Sequence, residues 1–332
     1  MTTKHDVFCI PITLSLIRQG WSDYHDWDDF NAIRNETPEV QKVFAINLVS
    51  RPDKRDNIVL GSSPSNFHVE LIDGVTPDED WDHGHKQTEY AARRAHLNGP
   101  QIVQEGLASA IIMEDDVDWD VSIQAQLQSF AHAVQALQLQ KNRKVPTQLP
   151  YGDDWDILWL GHCGVLCKTD LPFYLTPNDP TIPMPHHFLP LWRDPPAFEG
   201  YERFDHSRLA CTASDAVCAM LYAVSYSGAQ RILAALSVNP SGLAEEIDID
   251  AQFDVSAGSR AKSSDINDET GEDEGFFSSG VMYSTMLNIN RILKGERTVH
   301  ATWGDVDVLD IIRGDITMET GSIYIPKAKN RN

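Results

Sequence analysis

Short apolar runs closed by turn-forming residues alternate along this chain with stretches in which apolar residues recur every three or four positions. Val43–Leu48 (VFAINL) is bounded by charge and followed by Ser50-Arg-Pro-Asp53, which predicts a buried strand, a turn, and a helix opened by Pro52. Phe67–Ile72 alternates and stops at Asp73-Gly74, predicting a second strand. Thr88–Leu97 has helical composition, Asn98-Gly-Pro100 breaks it, and Pro100 can start another helix that runs to Gly106. Ala108–Met113 is a third buried strand, running straight into Glu114-Asp-Asp-Val-Asp-Trp-Asp120. Ser122–Leu139 carries Ile123, Leu127, Phe130, Val134 and Leu137 at helical steps. Asp156–Leu160 predicts a fourth strand ending at Gly161. Ala219–Val224 predicts another, with a helix starting over Ser225–Leu233. A Pro-rich aromatic stretch, Leu171–Phe204, is expected to be a long loop, and loops of that length tend to be functional.

Strands alternating with helices predict an α/β fold with a mixed, mostly parallel sheet flanked by helices. Ligands in such sheets bind beyond the carboxyl ends of the strands. Three polar features fall there: Asn47–Arg55, the Glu114–Asp120 cluster and Gly161-His-Cys. The expected organisation is an N-terminal extension over 1–42, a main domain over 43–254, an acidic mobile loop over 255–276, and a part over 277–332 that completes the same domain.

Composition narrows the partners. The 332 residues carry a net charge of −22 with 42% hydrophobic residues, so a large core is available while nucleic acid and anionic membranes are repelled. Eleven acidic residues against Arg260 and Lys262 between 245 and 275 supply nine of those charges. Any phosphate must therefore be met locally, by a cation, a few Arg or Lys, or backbone N–H groups. The apolar run Val7–Ile17 is too short and interrupted for a membrane span and lacks the features of a secretory signal. Five cysteines, an odd and sparse count, suit a reduced, cytoplasmic setting with buried free thiols. His162, Cys163, Cys167, Cys211 and Cys218 have spacings unlike the usual zinc knuckle.

Glu114, Asp115 and Asp116 are consecutive carboxylates after an apolar strand, and their repulsion is about 1 kcal/mol per pair 4 Å apart even in water. A hard cation such as Mn²⁺ or Mg²⁺ removes it. In an extended segment Glu114 and Asp116 face one side and Asp115 the other, so the expected metal pair is Glu114 with Asp116, and Asp118 is a further candidate. The alternative is an acidic solvated loop or a helix start, where the helix dipole favours carboxylates. Asp116-Val-Asp118 after a strand also suits a metal-dependent phosphohydrolase, but that pattern asks for Thr or Val where this chain has Asp120.

Five blocks in order carry a family resemblance. Phe44-Ala-Ile-Asn-Leu-Val-Ser-Arg-Pro-Asp-Lys-Arg55 resembles the opening "INL-x-x-R-x-D/E-R" motif of glycosyltransferase family 25, the lipopolysaccharide and procollagen galactosyltransferases. Ala95-His-Leu97 is similar to its "SHL" helix, with Ala for Ser. Ala110–Val117 resembles "hhhLEDDV", Trp155–Gly161 "WDhhhLG", and Leu221–Leu233 "AYhhSxxGAxxhL".

The resemblance implies a GT-A fold, a UDP-sugar donor, Mn²⁺, and inverting transfer of a hexose, galactose foremost, to a glycan, protein or small hydroxyl acceptor. It also implies donor contacts at Asn47, Arg51, Arg55, Glu114 and Asp115, with surface pairing to Asp53 or Asp56 as the alternative for the arginines. The catalytic base of the family falls at Asp248 or Asp250, and a late metal ligand at His300. His96 is expected to pack or orient a neighbour. Trp192, Phe198 and Tyr201 suit either stacking on an acceptor sugar or packing within their own loop. A catalytically degenerate sugar-nucleotide or glycan binder is the alternative function.

Overall fold

A computed structural model of the chain describes residues 34–74, 99–142, 149–161, 164–183, 206–217, 220–238, 281–306, 309–310 and 318–326. Its centre is a five-stranded sheet of β1 (Lys42–Asn47), β2 (Val69–Asp73), β3 (Ser109–Glu114), β4 (Ile157–Gly161) and β9 (Leu221–Ser225), in the order β2-β1-β3-β9-β4. β1 pairs in parallel with both β2 and β3, whereas β9 runs antiparallel to β3 and to β4. Four strands thus share one direction, as expected for an α/β sheet, and β9 alone opposes them.

Alternation along these strands builds two cores. Val43, Ala45, Ile111, Met113, Leu158, Leu160, Leu221 and Ala223 line one face, covered by Ile58 of α1 (Pro52–Ser62) and by α3 (Ile123–Asn142). Phe44, Ile46, Ala110, Ile112, Ile157, Tyr222 and Val224 line the other, covered by Ile102 of α2 (Gly99–Glu105) and Ala229 of α4 (Tyr226–Val238). All five apolar positions that predicted α3 are buried in the first core. Each such side chain contributes roughly 1.5–3 kcal/mol of burial energy.

The predicted boundaries shift by one to three residues, since helix and strand ends are set by tertiary hydrogen bonds. Two larger differences are instructive. The segment Leu171–Phe204 is not one loop: Phe173–Thr176 is a fully buried strand, β6, pairing with β7 (Arg208–Cys211) and with β12 (Ser322–Tyr324) in a second sheet. Only part of that segment, 171–183, lies among the described residues. β12 thus ties the C-terminal part to the main domain. The expected extension over 1–42 is also part of the domain at its end, because Val40 is buried and Gln41 N–H donates to the Ser109 carbonyl. Residues 255–276 lie outside the described residues.

The cysteine expectation is corrected. Cys167, ending β5 (Gly164–Cys167), and Cys211, ending β7, form a disulfide with Cα atoms 5.7 Å apart, next to buried Phe173. Hydrogen-bonding of Lys168 N–H to the Thr212 carbonyl brings the two segments together. That bond removes two of the thiols that a zinc site or free buried cysteines would need; His162, Cys163 and Cys218 lie outside the described residues. Among the described residues no helix is long and apolar enough to cross a membrane.

The last family-like block has a packing role. Asp156 is buried and accepts from Ser227 Oγ and Arg231, and a Cβ at Gly228 would overlap the Asp156 carbonyl oxygen. Glycine is required there for α4 to start against β4.

Candidate functional site

From β1 the chain crosses through α1 to β2 on one side, and β3 then returns on the other side of β1. The strand order therefore reverses between the carboxyl ends of β1 and β3, which is where open α/β sheets bind ligands. Asn47 closes β1 at this point and is buried. Its Nδ2 donates to Asp115 Oδ2 at 2.7 Å and to the Arg51 carbonyl at 3.2 Å, while its own carbonyl accepts from Gly74 N–H at 2.8 Å. One side chain and its backbone thus join the ends of β1, β2 and β3 to the turn that starts α1.

The carboxylates do not follow the extended alternation. Val117 N–H bonds back to the Glu114 carbonyl, so the chain turns directly after β3. Glu114 continues the Ala110–Ile112 face and acts electrostatically on Tyr222, whose hydroxyl pKa is raised by burial first and by Glu114 second. Asp116 is instead drawn toward α1, where Lys54 Nζ lies 3.7 Å from its Oδ2. The expected facing of Glu114 with Asp116 against Asp115 is replaced by this turned arrangement. Lys54 is buried at 3% exposure, and nothing in the sequence pattern singled it out beyond its place four residues before buried Ile58.

Asp118 and Asp120 have structural partners from far along the chain. Asp118 Oδ1 accepts from Trp119 N–H at 2.8 Å and from Met286 N–H at 3.3 Å, and its Oδ2 accepts from Ser284 Oγ. Ser284 is the N-cap of α5 (Thr285–Leu293), accepting from Leu287 N–H. Asp118 therefore caps α5 from outside the helix, where its charge also meets the positive end of the dipole. Asp120 is buried and accepts from Ser122 N–H and Tyr283 N–H, and burial pushes its pKa up to about 7 against those hydrogen bonds. Burial likewise raises Asp118. The apolar residues alternating with them, Val117 and Trp119, are core. One acid of the cluster does meet a helix start, but it is Asp118 rather than Glu114–Asp116, and the helix lies more than 160 residues away.

The remaining candidates divide. Arg51 forms a two-bond pair with Asp53, Nε to Oδ1 at 3.0 Å and an Nη to Oδ2 at 2.8 Å, and this pairing pulls the Asp53 carboxyl down to about 2. Arg55 is exposed on α1. The backbone of His300 is held by Asn288, N–H to Oδ1 at 2.8 Å and C=O from Nδ2 at 2.9 Å, and the residue itself is exposed. Asp248, Asp250, His96, Trp192, Phe198 and Tyr201 lie outside the described residues.

As a test of a divalent cation, the turn offers hard carboxylate oxygens at Glu114, Asp115 and Asp116, the donor type that Mg²⁺ and Mn²⁺ take. Asp118 does not fit, being engaged by Ser284 and α5. Among the described residues, no group of three or more His, Cys, Asp or Glu side chains is already gathered as a metal cluster. No family model matches the chain, and no curated protein matches it.

Proposed function

We propose that this chain is a metal-dependent, inverting glycosyltransferase of the family 25 kind, with a GT-A fold, moving a hexose, galactose foremost, from a UDP-sugar to a hydroxyl acceptor. The observation that carries this reading is the meeting of Asn47 with the Glu114–Asp116 turn across the strand-order reversal between β1 and β3. A nucleotide laid across that crevice meets both strand ends.

In this reading Glu114 and Asp116 hold Mn²⁺ or Mg²⁺, and the cation neutralises the diphosphate as the glycosidic bond breaks. Asn47 orients Asp115 and leaves its second oxygen for the donor. Arg51, paired with Asp53, stands beside the entry to α1; Arg55 approaches from solvent. A carboxylate takes the proton from the acceptor hydroxyl, and Asp248 and Asp250 are its candidates. Asp118 is assigned to the scaffold. The Cys167–Cys211 bond fits maturation in an oxidising compartment better than the cytoplasmic setting suggested by the cysteine count.

The test is a screen of UDP-sugars for UDP release with Mn²⁺ present, with and without hydroxyl acceptors. Turnover that depends on Mn²⁺ and is lost in the Glu114→Ala/Asp116→Ala double variant supports the proposal. UDP binding without turnover on any donor would make the chain a binding module. Phosphate release from simple phosphomonoesters without UDP affinity would make it a phosphohydrolase.

A further inference from the structure

Lys54 stands in the strand-end crevice against two elementary electrostatic tendencies. It lies in the first turn of α1, where the unpaired N–H groups of the helix disfavour a cation. It is also buried, and removing an ammonium from water is costly unless an anion compensates. One carboxylate it meets is Asp116, at 3.7 Å, with 4% of the lysine side chain exposed and 22% of the aspartate's. That separation is longer than the roughly 2.7–2.9 Å of a charge-assisted hydrogen bond, so the ammonium balances Asp116 by charge more than by a directional bond. The cation is buried and the aspartate only partly exposed, in a turn carrying two further carboxylates, Glu114 and Asp115.

We propose that Lys54 is the resident counter-ion of Asp116 in the metal-free protein, and that Asp116 exchanges it for a divalent cation when nucleotide diphosphate binds; this rests on the function proposed above. The cation alone must bind against an internal positive charge and is held weakly. With the diphosphate in place, the displaced ammonium gains a new anionic partner. Metal and nucleotide consequently strengthen each other's binding, and the coupling is reciprocal.

The test is calorimetric titration of Mn²⁺ into the full chain, with and without saturating UDP, for the wild type, Lys54→Met, Lys54→Arg and Asp116→Asn. Lys54→Met keeps the buried stem and removes the charge. It is expected to bind Mn²⁺ alone about tenfold more tightly, because a like charge a few ångströms from the ligand oxygen is gone. It is also expected to lose most of the tightening that UDP gives the wild type. Lys54→Arg keeps the charge and the wild-type pattern, and Lys54→Gln gives the same direction as Met should Met not fold. Unchanged or weaker Mn²⁺ binding in Lys54→Met or Lys54→Gln, alongside a wild type whose Mn²⁺ binding is lost in Asp116→Asn, overturns the counter-ion role and leaves the metal site standing. A wild type that binds neither Mn²⁺ nor UDP removes the proposed function and this inference together.

Discussion

Replacing Asp118 by Ala separates scaffold from site. The substitution removes one acceptor for Ser284 Oγ and one for Met286 N–H at the start of α5, and one for Trp119 N–H in the turn itself. Hydrogen bonds to a charged group are worth about 1.5–3 kcal/mol each, but Ser284 and the two N–H groups partly recover water here, so the expected loss is about 3 kcal/mol in all. For a chain of this size that lowers Tm by roughly 4–5 °C. Asp118→Asn, whose oxygen keeps the two N–H bonds and whose amide can donate to Ser284 Oγ, is expected to lose about half as much. Scanning fluorimetry gives the stabilities, and Mn²⁺ titration in the presence of UDP gives the metal affinity. The expected outcome is a destabilised chain with wild-type Mn²⁺ affinity at temperatures where it remains folded. A variant with wild-type Tm and abolished Mn²⁺ binding would refute the scaffold assignment and return Asp118 to the metal shell.

Three further outcomes follow from other parts of the fold. Arg208→Met leaves the Asp179 carboxylate buried without the guanidinium that now pairs with it at 2.5 Å; the expected cost is about 3–5 kcal/mol by urea unfolding, and a cost under about 1 kcal/mol would show the pair to be dispensable. His132 on α3 is held down to about 4 by burial, so the native state binds fewer protons than the unfolded chain between about pH 4 and 6.5. Its contribution is present above the unfolded value of about 6.5 and is lost as pH falls toward about 4. His132→Gln should therefore flatten the acid limb of the stability profile by on the order of 2 kcal/mol, allowing for partial exposure, and an unchanged profile would exclude the effect. Gly228→Ala forces a methyl group into the Asp156 carbonyl and is expected to cost about 3 kcal/mol, read as a lowered Tm.

The central sheet was legible because its signals are local. Ile123, Leu127, Phe130, Val134 and Leu137 announce α3 by spacing alone, and each of the parallel strands is a short apolar run closed by a turn residue. The place of the candidate site was equally legible, since Asn47 and Glu114 end adjacent strands. What each carboxylate does there was not. The turn after Glu114 is closed by a Val117–Glu114 hydrogen bond that leaves no mark in composition, and it redirects Asp116 to Lys54. Asp118 looked like a ligand because its partners, Ser284 and Met286, stand more than 160 residues away. β6 was hidden by the prolines around it, and the Cys167–Cys211 pairing depends on strands meeting across 44 residues of sequence. Spacing reports what an element is; long-range hydrogen bonds decide what its ends are for.

The strap between Trp119–Val121 and Tyr283–Thr285 also sets an order of events during synthesis. Two backbone contacts, Val121 N–H to Tyr283 C=O and Thr285 N–H to Trp119 C=O, and one from Tyr283 N–H to the Asp120 carboxylate close a loop of 163 residues. At roughly 5–20 residues per second, a ribosome takes about 10–30 s to travel from the carboxylate turn to the segment that fastens it. Throughout that interval Asp118 and Asp120 lack the distant groups that help hold them, while the helix and strands on either side can already form. The crevice is therefore completed last, and a chain that stops short of Tyr283 carries the sheet but not a settled site.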